Sequence, residues 1–270
     1  MDDPLLVVLD RFSRIEIIAG LVLLLTLESA RPFIPGRDGW IHVRHAFGNF
    51  TLWVLGYLLA DVLLYRYSFP ESSHDPGPIW FTILSDIPIW LQVVLGIILL
   101  DFAAWLLHWL SHRYHWLWLI HAVHHSDPRL DVTTALRNHP LERVVSLFWH
   151  GAMLALIGLP LWILGVRALV AIPVGMFHHS NVRVPEDFDR IMRAVFVSPA
   201  MHRVHHSPDM PETNSNYGVL FSFWDRLFGT YHAPRTGEPV FGLNALRAPA
   251  WQSLRGMLAT PLRARHLREF

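Results

Sequence analysis

The chain has 270 residues, enough for one large domain or two small ones, with 52% hydrophobic residues, 16% charged residues and a formal net charge of zero. Soluble domains carry about 25% charged residues, so this deficit, together with 12 Trp and 16 Phe, points to a bilayer, and the balanced charge leaves no nucleic-acid footprint. The absence of Cys excludes disulfides, iron–sulfur clusters and thiolate metal sites, so any metal chemistry falls to Asp, Glu and the 18 His.

A helix needs about 20 mostly apolar residues to cross the hydrocarbon core. Four stretches approach this: residues 12–30, interrupted by Arg14 and Glu16; residues 47–65; residues 79–110, where Pro88 marks a change from a short lead-in to the span proper; and residues 144–164. Residues 168–177 are apolar but short and read as the returning arm of a hairpin that turns near 160–167. The fold class is therefore all-α, with about four to five transmembrane helices. No small-residue cleavage signature follows the first stretch, so a removable signal peptide is not expected. All 22 basic residues are Arg, which reads as a compositional bias of the genome. Arg31, Arg37 and Arg44 in 31–46, and further Arg residues in 111–143 and after 183, put these regions on the cytoplasmic side, against Arg11 and Arg14. A bacterial inner membrane is the expected location.

The third stretch leads into HWLSHRYHWLWLIHAVHH, residues 108–125. His108 and His112, spaced i, i+4, share a helix face, and Asp101 lies seven residues earlier on that face. His121, His124 and His125 form an i, i+3, i+4 set, repeated by His202, His205 and His206 in SPAMHRVHHS. Between the sets lie His139, in RNHPLE, and the adjacent His178 and His179, in FHHSN. Imidazole suits Zn, Cu, Fe and Ni. Eight histidines in three boxes exceed the four ligands of a structural zinc site and fit two ions, with Asp101 as an acceptor that orients a ligating ring. His42, His45, His74, His115, His150, His232 and His266 stand outside the boxes and read as residues of the water boundary, and Trp105, Trp109, Trp116 and Trp118 as an interfacial belt.

HWLSH, HAVHH and HRVHH, in this order around a hydrophobic hairpin, resemble the fatty acid hydroxylase/sterol desaturase superfamily of membrane-bound non-haem di-iron oxygenases. So do DFAAWLLHWLSH, TTALRNHPLE, FHHSNVRVP and the tail from SPAMHRVHHS through NYG to WDRLFGTY. The similarity covers about residues 95–235. It implies membrane helices (1–90), a catalytic region (91–235) whose cytosolic helical cap carries the boxes, and a C-terminal cytosolic tail (236–270). It further implies two irons, O2 as co-substrate, and metal ligands His108, His112, His121, His124, His125, His139, His179, His202, His205 and His206, supported by Asp101 and Asn181. His179, rather than His178, matches the motif. The implied chemistry is hydroxylation or desaturation of a lipid, whether sterol, fatty acyl, carotenoid, sphingoid or ether lipid. No fused electron carrier is visible, so a separate ferredoxin, cytochrome or reductase is expected. A zinc-dependent intramembrane hydrolase is disfavoured because HExxH is absent and no Glu sits in the boxes. A metal-binding or transport protein is disfavoured because the histidines lie at helix ends rather than mid-span.

Overall fold

The computed structural model describes residues 4–35, 39–67, 87–235, 237 and 239–265. Residues 68–86, which hold His74 and the start of the third stretch, lie outside the described residues, as do Arg37 and His266. Among the described residues there are helices and no strands, with two isolated bridges, Pro32 to Val182 and Phe196 to Phe221.

The long helices are α1 (Pro4–Ala30), α2 (Gly39–Tyr67), α3 (Ile89–Arg113), α5 (Pro140–Ile157) and α6 (Trp162–His179), with the short α4 (His115–His125) between α3 and α5. Gly39–Leu63, Ile89–Arg113 and Trp162–His179 are long and apolar enough to cross a membrane. Their outward faces are apolar, as with Phe47, Leu58 and Val62 on α2, which suits contact with acyl chains.

Two expected spans shift. The stretch 144–164 is not one helix: α5 stops at Gly158, whose φ of 74° is the left-handed region that suits glycine, and α6 begins after Leu159, Pro160 and Leu161. Residues 168–177, expected as a short returning arm, belong to the full-length α6. Apolarity runs through the turn because Leu159 is itself buried, against Leu100, Leu154 and Ile163.

Spans in lipid gain little from apolar transfer and associate by close packing. Gly96 allows it on α3, where a Cβ would come within 2.5 Å of Ile163 Cγ2, and Gly165 on α6, where a Cβ would come within 2.8 Å of Leu9 Cβ. α1 lies along α6, α2 along α5, and α3 against α5 and α6.

At one end of this bundle sit α4, a 3-10 turn (Val132–Leu136), α7 (Glu186–Met192), α8 (Pro199–His205), α9 (Met210–Thr213), α10 (Phe223–Leu227) and α11 (Leu254–Arg263). The segment after 235, expected as a tail, folds back on α4. Leu243, Leu246 and Ala264 pack with Trp118, Leu119 and Ala122, while Met257 joins Leu52 and Val123. Trp118 is thereby buried, and Trp105 is buried beside Tyr217 and Phe228, rather than forming part of an interfacial belt, whereas Trp116 is exposed.

Candidate metal centre

The histidine stretch 108–125 is carried by two helices. Tyr114 has φ −107° and ψ 120°, which ends α3 and restarts the chain as α4. The reversal brings His108 and His112 against His121 and His125. α8 presents the third box from the opposite side; its first turn is capped by Ser198, which accepts the Met201 N–H, with Pro199 at the first helical position.

Nine histidines converge in two groups. His108, His112, His121, His125 and His205 form one, and His124, His179, His202 and His206 the other; within each group the candidate ligand atoms all lie within 4.8 Å of one another. Nε2 atoms approach at 2.9 Å between His108 and His205 and at 3.2 Å between His121 and His125. In the second group the His179–His124, His179–His202 and His202–His206 separations are 3.1, 2.9 and 3.0 Å.

These rings fit a metal. His108 Nδ1–H donates to the Tyr217 carbonyl at 2.8 Å and His205 Nδ1–H to the Ser215 carbonyl at 2.6 Å. A neutral imidazole has one N–H, so two Nε2 lone pairs face each other at 2.9 Å, an arrangement that needs a cation between them. With metal–nitrogen bonds of about 2.1 Å, two nitrogens on one ion stand about 3.0 to 3.4 Å apart, and the observed separations lie at or just below this range. Burial, reinforced by neighbouring imidazoles, holds His124, His125, His202 and His206 well below the ordinary histidine range and takes His205 to about 3, so these rings stay neutral with free lone pairs at pH 7.

Other tethers extend the pattern. His121 Nδ1–H donates to Glu142 Oε1 at 2.7 Å, His112 Nδ1–H to Asn214 Oδ1 at 3.3 Å and His179 Nδ1–H to the Gly175 carbonyl at 2.6 Å. Glu142 supplies beside the boxes the carboxylate that the boxes lack; its signal was the HPLE segment.

Three expected site residues are placed elsewhere. His139 caps α5: its Nδ1 accepts the Leu141 N–H and its Nε2–H donates to the Leu258 carbonyl, so neither nitrogen is free for a metal. Among the described residues Asp101 meets no imidazole; its carboxylate accepts the N–H groups of Leu220, Phe221 and Trp224 Nε1, with Arg167 at 3.5 Å. It thus fixes the segment that carries the Tyr217 carbonyl, and acts on His108 at one remove. Asn181 exchanges hydrogen bonds with the backbone of Ile34, tying the loop after α6 to the end of α1.

Asp225, which sequence reading did not single out, works beside Asp101. It accepts from Tyr217 N, Gly218 N, Trp105 Nε1 and Thr230 Oγ1, and burial raises its pKa against those bonds. Asn216 adopts φ 52°, which Asn tolerates, and its side chain joins the carbonyls of Met201 and His232.

His45, expected at the water boundary, instead reaches both carboxylate oxygens of Asp127 at 2.8 Å. Against the burial that would raise it, His45 and Arg137 hold the Asp127 carboxyl well below the usual carboxylate range. Arg137 is buried and donates to the Val123 carbonyl, Ser126 Oγ, Asn49 Oδ1 and Gln252 Oε1, pinning the end of α4. His178 is buried with its ring 4.1 Å from that of His202, outside both groups.

A cavity of about 340 Å³ opens beneath the histidines. His108, His121, His124, His179 and His202 roof it; Ala104, Leu107, Ile120, Leu136, Ile172 and Met176 supply apolar wall; Arg167, His150 and Ser146 lie among its polar residues.

The fatty acid hydroxylase family model matches residues 93–230. Among curated proteins, the ornithine lipid hydroxylase OlsE of Rhizobium tropici is 36% identical over 154 residues, 54% of this chain and 44% of that protein. An alkylglycerol monooxygenase of Danio rerio is 27% identical over 57% of this chain and 32% of its own length. A cholesterol 25-hydroxylase-like protein of the same fish is 29% identical over 56% of each. The chain thus spans less than half the length of the first two. No solved structure matches. The matched half of the chain carries all nine converging histidines, and by that match the chain belongs to the fatty acid hydroxylase family.

Proposed function

We propose that this integral membrane protein is an O2-dependent oxygenase that hydroxylates a lipid at an unactivated C–H bond, with two iron ions as its cofactor. His108, His112, His121, His125 and His205 would hold one ion, and His124, His179, His202 and His206 the other; His139 is left out. The bound irons supply the activation of oxygen. The reaction balances as R–H, O2, two electrons and two protons giving R–OH and water, and the electrons come from a separate ferredoxin, cytochrome or reductase. The Arg-rich flanks of the boxes favour the cytoplasmic face of a bacterial inner membrane.

The protein's own part is positional. The Tyr217 and Ser215 carbonyls and Glu142 hold the protons of their histidines at Nδ1, which aims Nε2 inward. The cavity walls keep water from the reacting carbon and align the chain beneath the histidines. The names of the relatives, hydroxylase and monooxygenase, favour hydroxylation over desaturation.

The observation that carries this reading is the pair of facing Nε2 lone pairs of His108 and His205 within a cluster of nine imidazoles. Elemental analysis of protein purified from iron-replete cells tests the metal: two irons per chain are expected, and one or none in folded protein would overturn it. Labelled oxygen tests the chemistry: one atom of 18O should appear in a membrane lipid, and unlabelled product would refute oxygenation.

A further inference from the structure

We propose that the floor of the histidine cavity is a recognition site for a lipid hydroxyl, formed by Arg167 and His150. The assignment deepens the oxygenase reading and rests on it for taking the cavity as the substrate's.

His150 on α5 is 8% exposed, and its Nδ1–H donates to the Ser146 carbonyl at 2.7 Å. Its Nε2 therefore carries a lone pair; that atom is buried, lacks a hydrogen-bond partner among the described residues, and belongs to a ring lining the cavity. Arg167 on α6 offers the complement. Its Nη2 reaches Asp101 Oδ1 at 3.5 Å, long for a hydrogen bond, and that carboxylate already accepts from Leu220 N, Phe221 N and Trp224 Nε1. Arg167 Nε–H is buried and without a partner among the described residues. Ionisable groups inside a membrane bundle are costly and mark functional positions.

A donor and an acceptor together select chemistry. A hydroxyl accepts from Arg167 and donates to His150; a methyl end does neither; a carboxylate sets a second lone pair against Nε2. Position adds regiochemistry. Asp101, where Arg167 is held, lies seven residues before His108 on α3, about 10 Å along the helix axis. The substrate is therefore a lipid whose existing hydroxyl is remote from the carbon brought to the histidines, rather than adjacent to it. The cavity, about 340 Å³, sits at the small end of ligand pockets and suits one chain or one compact ring system.

Full-length, iron-loaded protein in detergent would be titrated with tetradecanol, tetradecane and tetradecanoate, read by displacement of radiolabelled tetradecanol. Tetradecanol should bind at least about tenfold tighter than either of the others, since a site built for a hydroxyl rejects analogues lacking it. Arg167→Met and His150→Phe should each shrink that preference to about twofold with iron content unchanged. Equal binding of alcohol and alkane, or tighter binding of the carboxylate, overturns the proposal, as does retention of the preference in both variants; the wild-type series decides alone if a variant does not fold. An intact alcohol preference without oxygen consumption would sink the oxygenase reading and spare the site. Lost preference with normal oxygenation would do the reverse.

Discussion

The five-histidine and four-histidine groups lie side by side but are held differently. In the first, His108, His112, His121 and His205 are each tethered at Nδ1, by the Tyr217 carbonyl, Asn214, Glu142 and the Ser215 carbonyl. In the second, His179 is tethered to the Gly175 carbonyl, while Nδ1 of His124, His202 and His206 lacks a partner among the described residues. Outer hydrogen bonds fix the tautomer and aim of a ligating imidazole. The five-histidine group, His125 apart, is therefore organised by the protein in advance, and the four-histidine group depends on packing and, on the two-iron reading, on the ion it would hold.

The largest expected contrast comes from removing one ligand on each side. His206→Ala should lose one of two iron equivalents and all turnover, because three mostly untethered rings remain. His112→Ala leaves four rings, three of them tethered, and should keep most of its iron. Elemental analysis reads both, and equal losses would break the comparison.

Acid comes next. The folded pKa values of His124, His202, His206 and His205 lie below the unfolded value of about 6.5 through burial and neighbouring rings. The unfolded chain then binds more protons, so their contribution is fully present above about pH 6.5 and declines as pH falls. The melting temperature of metal-free protein should drop steadily below that pH. In iron-loaded protein the four-histidine ion should leave first, as followed by released iron at graded pH; simultaneous release would argue that tethering does not matter.

Arg137→Met sharpens the contrast by acting on both groups alike. Arg137 pins the end of α4, which feeds both, and its loss leaves the buried Asp127 with His45 as the remaining cation beside it, next to the Thr134 hydroxyl and the Arg129 N–H. A cost of roughly 3 kcal/mol in unfolding free energy is expected, with iron lowered equally in both groups. A preferential loss from one group would show that α4 is held in some other way.

The smallest change is Glu142→Gln, which leaves an acceptor for His121 but removes its charge. Affinity for iron should fall about tenfold, at the low end for such outer partners, in the five-histidine group alone. Competition with a chelator measures it, and an equal effect on the four-histidine ion would contradict the separation of the groups.

Composition and spacing determined the helical class, the membrane setting and the three boxes whose histidines converge. Charge deficit, apolar length and i, i+3, i+4 repetition are local properties, written along the chain. Division of the nine rings was not readable in this way. HAVHH sends His121 and His125 to one group and His124 to the other; HRVHH sends His202 and His206 to the second and His205 to the first. Positions i and i+4 nearly share a face, and the intervening histidine points about 100° away from its neighbour, so each box straddles both groups once α4 and α8 oppose each other. That opposition depends on the break at Tyr114, which the spacing within the boxes does not mark. The roles of Asp101, Asn181, His139 and Asp225 were equally hidden, because their partners lie far along the chain: Leu220 is 119 residues from Asp101, Leu258 is 119 from His139, and Ile34 is 147 from Asn181. Spacing reports which side chains share a face; which distant backbone groups that face meets is decided when the helices pack.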